Sequence, residues 1–153
     1  DFIVDPFQIL EARAHRADAI LLIVAGLSQP ELQFLYRKAK ELDMDVLVEV
    51  HDEEELDRAV EIGAETIGVN SRNLRTFDVD LQTSIRLANR LPADVLKVAE
   101  SGIHTPQDMA LLRSAGFQGF LIGESLMRQD YPGKALRELL EAVSLAEARG
   151  AVS

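Results

Sequence analysis

Several chemistry-bearing residues stand where apolar runs of this sequence end. Glu49 interrupts the run from Val46 to Val50, and Glu100 closes the run that begins at Val95. A buried carboxylate is costly unless it is paired, and burial raises its pKa toward a range useful for proton transfer. Glu49 therefore reads as a general acid or base, or as one half of a structural ion pair with a neighbouring strand. The equivalent placement of Glu100 favours the first reading. The segment Gly68-Val69-Asn70-Ser71-Arg72-Asn73-Leu74 leaves another apolar run. Asn70 offers a donor and an acceptor, and Arg72 a planar fork suited to a carboxylate. Turn chemistry and a solvated arginine would explain the same two residues. Gly102 and Gly123 follow the last two apolar runs, where backbone N–H groups can approach an anion closely. Residues Glu124 to Arg128 are about one helical turn long, the length of a short anion-binding helix. His51, His104 and His15 read as cap or surface groups, the Glu53–Glu55 run as a solvated helix start, and no metal site is expected.

The elements that must position these groups alternate from end to end. Candidate strands are Ala19–Val24, Val46–Val50, Thr66–Asn70, Val95–Glu100 and Gly119–Gly123, with a stub at Phe2–Val4. Each is nearly continuous in Ile, Leu, Val and Ala, as a strand covered on both faces should be. Helix starts are marked by Ser28 with Glu31, by Asp52, and by Thr105 with Pro106 and Asp108. Further helices are expected from about Asp80 to Arg90 and from about Pro132 to Ala148, with Gly116 as a stop and 149–153 as a flexible tail. Strand starts lie about 20 to 29 residues apart, the length of one βα unit. This pattern predicts a parallel sheet, either open and doubly wound or closed as a (β/α)8 barrel. No G-x-G-x-x-G follows the first strand, as a dinucleotide fold would want. The barrel reading needs eight units, of which six fit in residues 1–148.

Of 153 residues, 47% are apolar, enough for a real core. The net charge of −10 argues against nucleic acid or an anionic membrane surface as the main partner. Absence of cysteine removes thiolate and disulfide chemistry and fits a reducing cytoplasm. The longest apolar run, Ala19 to Leu27, is roughly half a membrane span, and nothing at the start resembles a secretory signal.

Six blocks of the sequence, taken in order, resemble indole-3-glycerol-phosphate synthase. They are Asp1 to Gln8, Ala17 to Leu22, Leu47 to Asp52, Ile67 to Leu74, Glu100 to Thr105 and Leu121 to Met127. The resemblance implies an incomplete (β/α)8 barrel with about six of its eight units. It also implies a cofactor-free carboxy-lyase acting on 1-(2-carboxyphenylamino)-1-deoxyribulose 5-phosphate in tryptophan biosynthesis. Carried over by position, Glu49 would be the acid/base carboxylate, Asn70 and Arg72 would orient substrate, and Glu100 and Ser101 would line the ribulose moiety. Gly102, Gly123 and the amide of Glu124 would hold phosphate. Family members often have Ser at the Glu124 position, which leaves only a backbone contact there. The family's general-acid lysine would stand just before Asp1, so the 153-residue chain alone is expected to have little activity. It is expected to self-associate or to pair with strands that precede it. The alternative is a non-catalytic half-barrel scaffold that needs a partner chain.

Overall fold

The computed structural model describes residues 2–72 and 79–150, for 145–150 the backbone only. The helix starts follow local chemistry. Asp5 accepts the Phe7 N–H at 2.8 Å and opens α1 (Pro6–Ala14). After β1 (Ala19–Ile23) and a 3-10 turn at Val24–Gly26, Glu31 accepts the Ser28 backbone N–H at 2.8 Å at the start of α2 (Gln29–Glu41). Beyond β2 (Asp45–Val50), Asp52 accepts the Glu55 N–H at 2.9 Å and caps α3 (Glu53–Glu61). Asp80 accepts the Gln82 N–H at 3.0 Å, capping α4 (Leu81–Ala88) between β3 (Thr66–Asn70) and β4 (Leu96–Glu100). Thr105 and Asp108 exchange hydrogen bonds of 3.1 and 2.8 Å at the start of α5 (Pro106–Ser114). Such caps satisfy N–H groups that a helix start would otherwise leave unpaired. After α5 the chain turns at Gly116, where φ is +94°, a conformation that costs glycine little. β5 (Gly119–Leu121), the short α6 (Glu124–Met127) and α7 (Pro132–Gly150) complete the order.

All five strands are parallel and lie in sequential order, β1-β2-β3-β4-β5. A doubly wound sheet would reverse direction at a switch point. This sheet winds one way only, as the wall of a (β/α)8 barrel does. The expected strands at 19–24, 46–50, 66–70, 95–100 and 119–123 form within two residues of those limits. The stub at Phe2–Val4 does not join the sheet, because Gln8 takes its polar groups. Gln8 Nε2 donates to the Phe2 carbonyl at 3.0 Å, and its Oε1 accepts the Val4 N–H at 2.8 Å. α7 runs past Ala148 to Gly150, and Asp1 and residues 151–153 of the expected tail lie outside the described residues.

One face of the sheet packs against the helices and holds the core: Ile20, Leu22, Val46, Val48, Val50, Ile67, Val69 and Ala99 are buried there. The alternate positions face the other way. There Leu21, Ile23 and Leu47 are half-buried, while Leu96 and Leu121 are 44% and 52% exposed. Coverage of both faces, expected from the continuous apolar runs, is thus found on the helical side only. The opposite face is the concave wall that carries Glu49 and Glu100.

Candidate active site

Glu49 and Glu100 stand on β2 and β4, with β3 between them. The register sets Glu49 beside Gly68 and Asn70 beside Glu100. Strands two places apart are about 10 Å from one another, so their carboxylates meet only if nothing on β3 intervenes. Gly68 provides that gap, since a Cβ there would lie 1.9 Å from Glu100 Oε1. Both glutamates are buried, at 5% and 3% exposure. Asn70 Nδ2 donates to Glu49 Oε1 at 3.1 Å, while Asn70 Oδ1 accepts the Arg72 backbone N–H at 3.0 Å. The two bonds together fix the amide. Glu100 Oε1 has no hydrogen-bond partner.

The two carboxyls divide one proton between them. Burial pushes Glu49 up, but its contacts with His51, Glu100 and Asn70 and the charge of His51 bring it below the ordinary glutamate value. Glu100, buried and facing the Glu49 carboxylate, is raised to about 9. At neutral pH the pair is one carboxylate and one neutral acid.

His51, expected as a cap or surface group, is neither. Its ring is 13% exposed; Nδ1 is hydrogen-bonded to Glu55 Oε2 at 3.0 Å, while Nε2 lies at an ion-pair distance of 3.2 Å from Glu49 Oε1 without hydrogen-bond alignment. Burial disfavours the imidazolium, yet the neighbouring Glu49 and Glu55 carboxylates outweigh it and raise His51 to about 9. The signal was in the spacing. Residue 51 follows the end of β2 two positions after Glu49, and residues 51 and 55 are four apart at a helix start. His15 sits exposed at the end of α1, and His104 is exposed at the cavity mouth. Among the described residues no group of three or more His, Asp or Glu could hold a metal ion.

The loops after β4 and β5 converge. Ser101 and Gly102 are successive left-handed residues, with φ of +62° and +72°, and a Cβ on Gly102 would lie 2.3 Å from Val79 Cγ1. Ser125 Oγ donates to the Ile103 carbonyl at 3.0 Å and ties one loop to the other. Gly123 caps α6, and a Cβ there would meet nothing within 4 Å. The Glu124 side chain turns to two guanidinium groups, 2.5 Å from Arg72 Nη2 and 2.7 Å from Arg128 Nη2. Asn73 and Leu74 lie outside the described residues. All eight site residues named from the sequence, Glu49, Asn70, Arg72, Glu100, Ser101, Gly102, Gly123 and Glu124, line a single cavity of about 300 Å³. Its floor is the proton-sharing pair and its rim the two glycine loops. A cavity this size holds a small organic ligand.

Comparison with known proteins gives one consistent family. The model of the indole-3-glycerol phosphate synthase family matches residues 1–139. The indole-3-glycerol phosphate synthase of Koribacter versatilis is 56% identical over 140 residues, covering 92% of this chain and 54% of the relative. Those of Magnetococcus marinus and Acinetobacter baylyi are 54% and 53% identical, over 92% and 91% of this chain and 52% of each relative. The chain thus spans about half the length of the curated relatives it matches. Among solved structures, thiamine phosphate pyrophosphorylase from Pyrococcus furiosus aligns with a TM-score of 0.70 at 20% identity, over 89% of this chain and 64% of that one. The native KDPGal structure aligns at 0.69 and 20% identity, over 99% and 68%. These likenesses concern the fold alone.

Proposed function

Because the chain belongs to the indole-3-glycerol phosphate synthase family, we propose that it carries the C-terminal part of a site that closes the indole ring of 1-(2-carboxyphenylamino)-1-deoxyribulose 5-phosphate. Carbon dioxide and water are lost in that reaction. The observation that carries the reading is the convergence of an ionised carboxylate, a neutral acid, an amide and a guanidinium on one cavity rimmed by two glycine loops. Glu49, held as a carboxylate, accepts a proton during dehydration. Glu100, held neutral, donates a hydrogen bond to a ribulose oxygen, with Ser101 beside it. Arg72 pairs with the carboxylate of the anthranilate ring after exchanging its Glu124 partner for the substrate. Asn70 keeps Glu49 oriented and contacts substrate. The amides of Gly102, Gly123 and Glu124 receive the phosphate, the last by its backbone only, since its side chain is turned toward arginines. No cofactor takes part in these steps. The reading assigns the reaction to tryptophan formation in the cytoplasm. Among the described residues no helix is long and apolar enough to cross a membrane.

The test is turnover by the protein that carries this sequence, followed as indole-glycerol-phosphate formation. Glu49→Gln should lower kcat by about 10²- to 10⁴-fold and leave KM much less affected. Arg72→Ala should act chiefly on KM. A Glu49→Gln enzyme with undiminished kcat would remove the assignment of the base.

A further inference from the structure

His51 is a half-buried titratable group that the chemistry above does not use. It does not line the cavity, so it can reach a ligand there only through another residue. Its Nε2 lies 3.2 Å from Glu49 Oε1 and its Nδ1 3.0 Å from Glu55 Oε2, and the same Glu55 oxygen accepts the His51 backbone N–H at 2.8 Å. Glu55 thereby grips both ring and main chain, and α3 fixes Glu55 through the Asp52 cap. The same Glu49 oxygen accepts a hydrogen bond from Asn70 Nδ2 at 3.1 Å. Glu49 Oε1 is thus met by two neighbours, a hydrogen-bonding amide on β3 and an imidazole at ion-pair distance.

We propose that His51, clamped by Glu55, is a positioning residue that holds Glu49 as an oriented carboxylate facing the cavity. The proposal rests on the reading of Glu49 as the base. A neutral imidazole has one N–H donor and an imidazolium has two. Only the charged ring has an N–H at Nδ1 for Glu55 and at the same time sets a positive charge 3.2 Å from Glu49 Oε1, and the elevation of His51 to about 9 agrees with that. The charged and titratable groups that face it are Glu49 from β2, Glu55 from α3 and, more remotely, Glu100 from β4. With the imidazolium in place, one more negative charge in the cluster is tolerated at neutral pH. Without it, Glu49 and Glu100 would compete for protons over a higher pH range, and part of the Glu49 population would be protonated and unable to act as a base.

Two measurements test this. Imidazole 15N NMR of the chain reads its three histidines directly and needs no turnover. His51 should remain protonated well above the ordinary histidine value of about 6.5, and Glu55→Gln and Glu49→Gln should each lower its midpoint. A His51 midpoint near the ordinary value, or one unmoved by Glu49→Gln, overturns the proposal. In the protein that carries this sequence, His51→Gln should move the acid limb of kcat/KM upward by about one pH unit, and Glu55→Gln should move it less in the same direction. A uniform loss at every pH, with no shift of the limb, would mean a merely structural role and would also overturn the proposal. If instead Glu49→Gln leaves turnover intact, the base assignment fails, while the NMR titration still decides whether the clamp exists.

Discussion

At Gly68 a methyl group would lie 1.9 Å from Glu100 Oε1 and 3.2 Å from Leu47 Cδ1. Glu100 would have to leave its place over β3. Gly68→Ala should therefore cost about 1–3 kcal/mol of stability and lower kcat roughly 10²-fold by misplacing the acid, checked by urea unfolding and steady-state turnover. The protonation pattern gives a second prediction. Glu100 and His51 both have folded-state values raised to about 9. A raised value contributes stability that is complete below the unfolded value and is lost as pH rises through the folded one. For His51 that window runs from about 6.5 to 9, and for Glu100 from about 4.5 to 9. Glu49, lowered, works oppositely and only toward acid pH. Stability should therefore fall between pH 6.5 and 9, and Glu100→Gln, which cannot ionise, should flatten the slope in urea titrations. Glu49 and Glu100 were legible in the sequence because a charge inside an apolar run stands out. Three features were not. The gap at Gly68 depends on register between strands, Arg72 meets Glu124 across 52 residues, and the spacing of His51 from Glu49 and Glu55 acquires meaning only once the end of β2 and the start of α3 are fixed.

Helix starts were the most legible elements, because their signals are local. Ser28, Asp52 and Thr105 each stand where a helix begins, and each bonds a residue three positions on. Removing one such cap has a known scale. Thr105→Ala should cost about 1 kcal/mol, seen as a lower midpoint in urea, with a further effect on the site because α5 anchors the Ser101–Thr105 loop. Strands were legible in place but not in extent. β5 stops at Leu121, two residues short of the expected Gly123. The Phe2–Val4 stub fails because Gln8, four residues beyond Val4, offers its backbone a closer partner than any strand. The left-handed turn at Ser101 and Gly102 was half legible, since the glycine marks the loop but Val79, which packs where its side chain would be, lies 23 positions earlier.

Across the whole molecule, the alternation of strands and helices allowed two closures, and only the sequential order of the five strands chooses the barrel wall. Among the described residues β1 and β5 are the edges of the sheet, and Leu96 and Leu121 remain exposed on its concave face. Edges of this kind pair readily with further strands. A polypeptide carrying the earlier part of the family sequence should bind this chain and raise its unfolding midpoint, which titration calorimetry and thermal unfolding would register. The central claim is narrower: one rim gathers the carboxylates, the arginine and the glycine loops around a phosphorylated ligand. It is tested most directly by mapping NMR shifts of the labelled chain as inorganic phosphate, and separately 1-(2-carboxyphenylamino)-1-deoxyribulose 5-phosphate, is added. The account predicts that both ligands move the backbone amides of Gly102, Gly123 and Glu124, and that only the second also moves the Asn70 side-chain amide and the Arg72 guanidinium. Shifts scattered away from this rim, or none at Gly102 and Gly123, would contradict it.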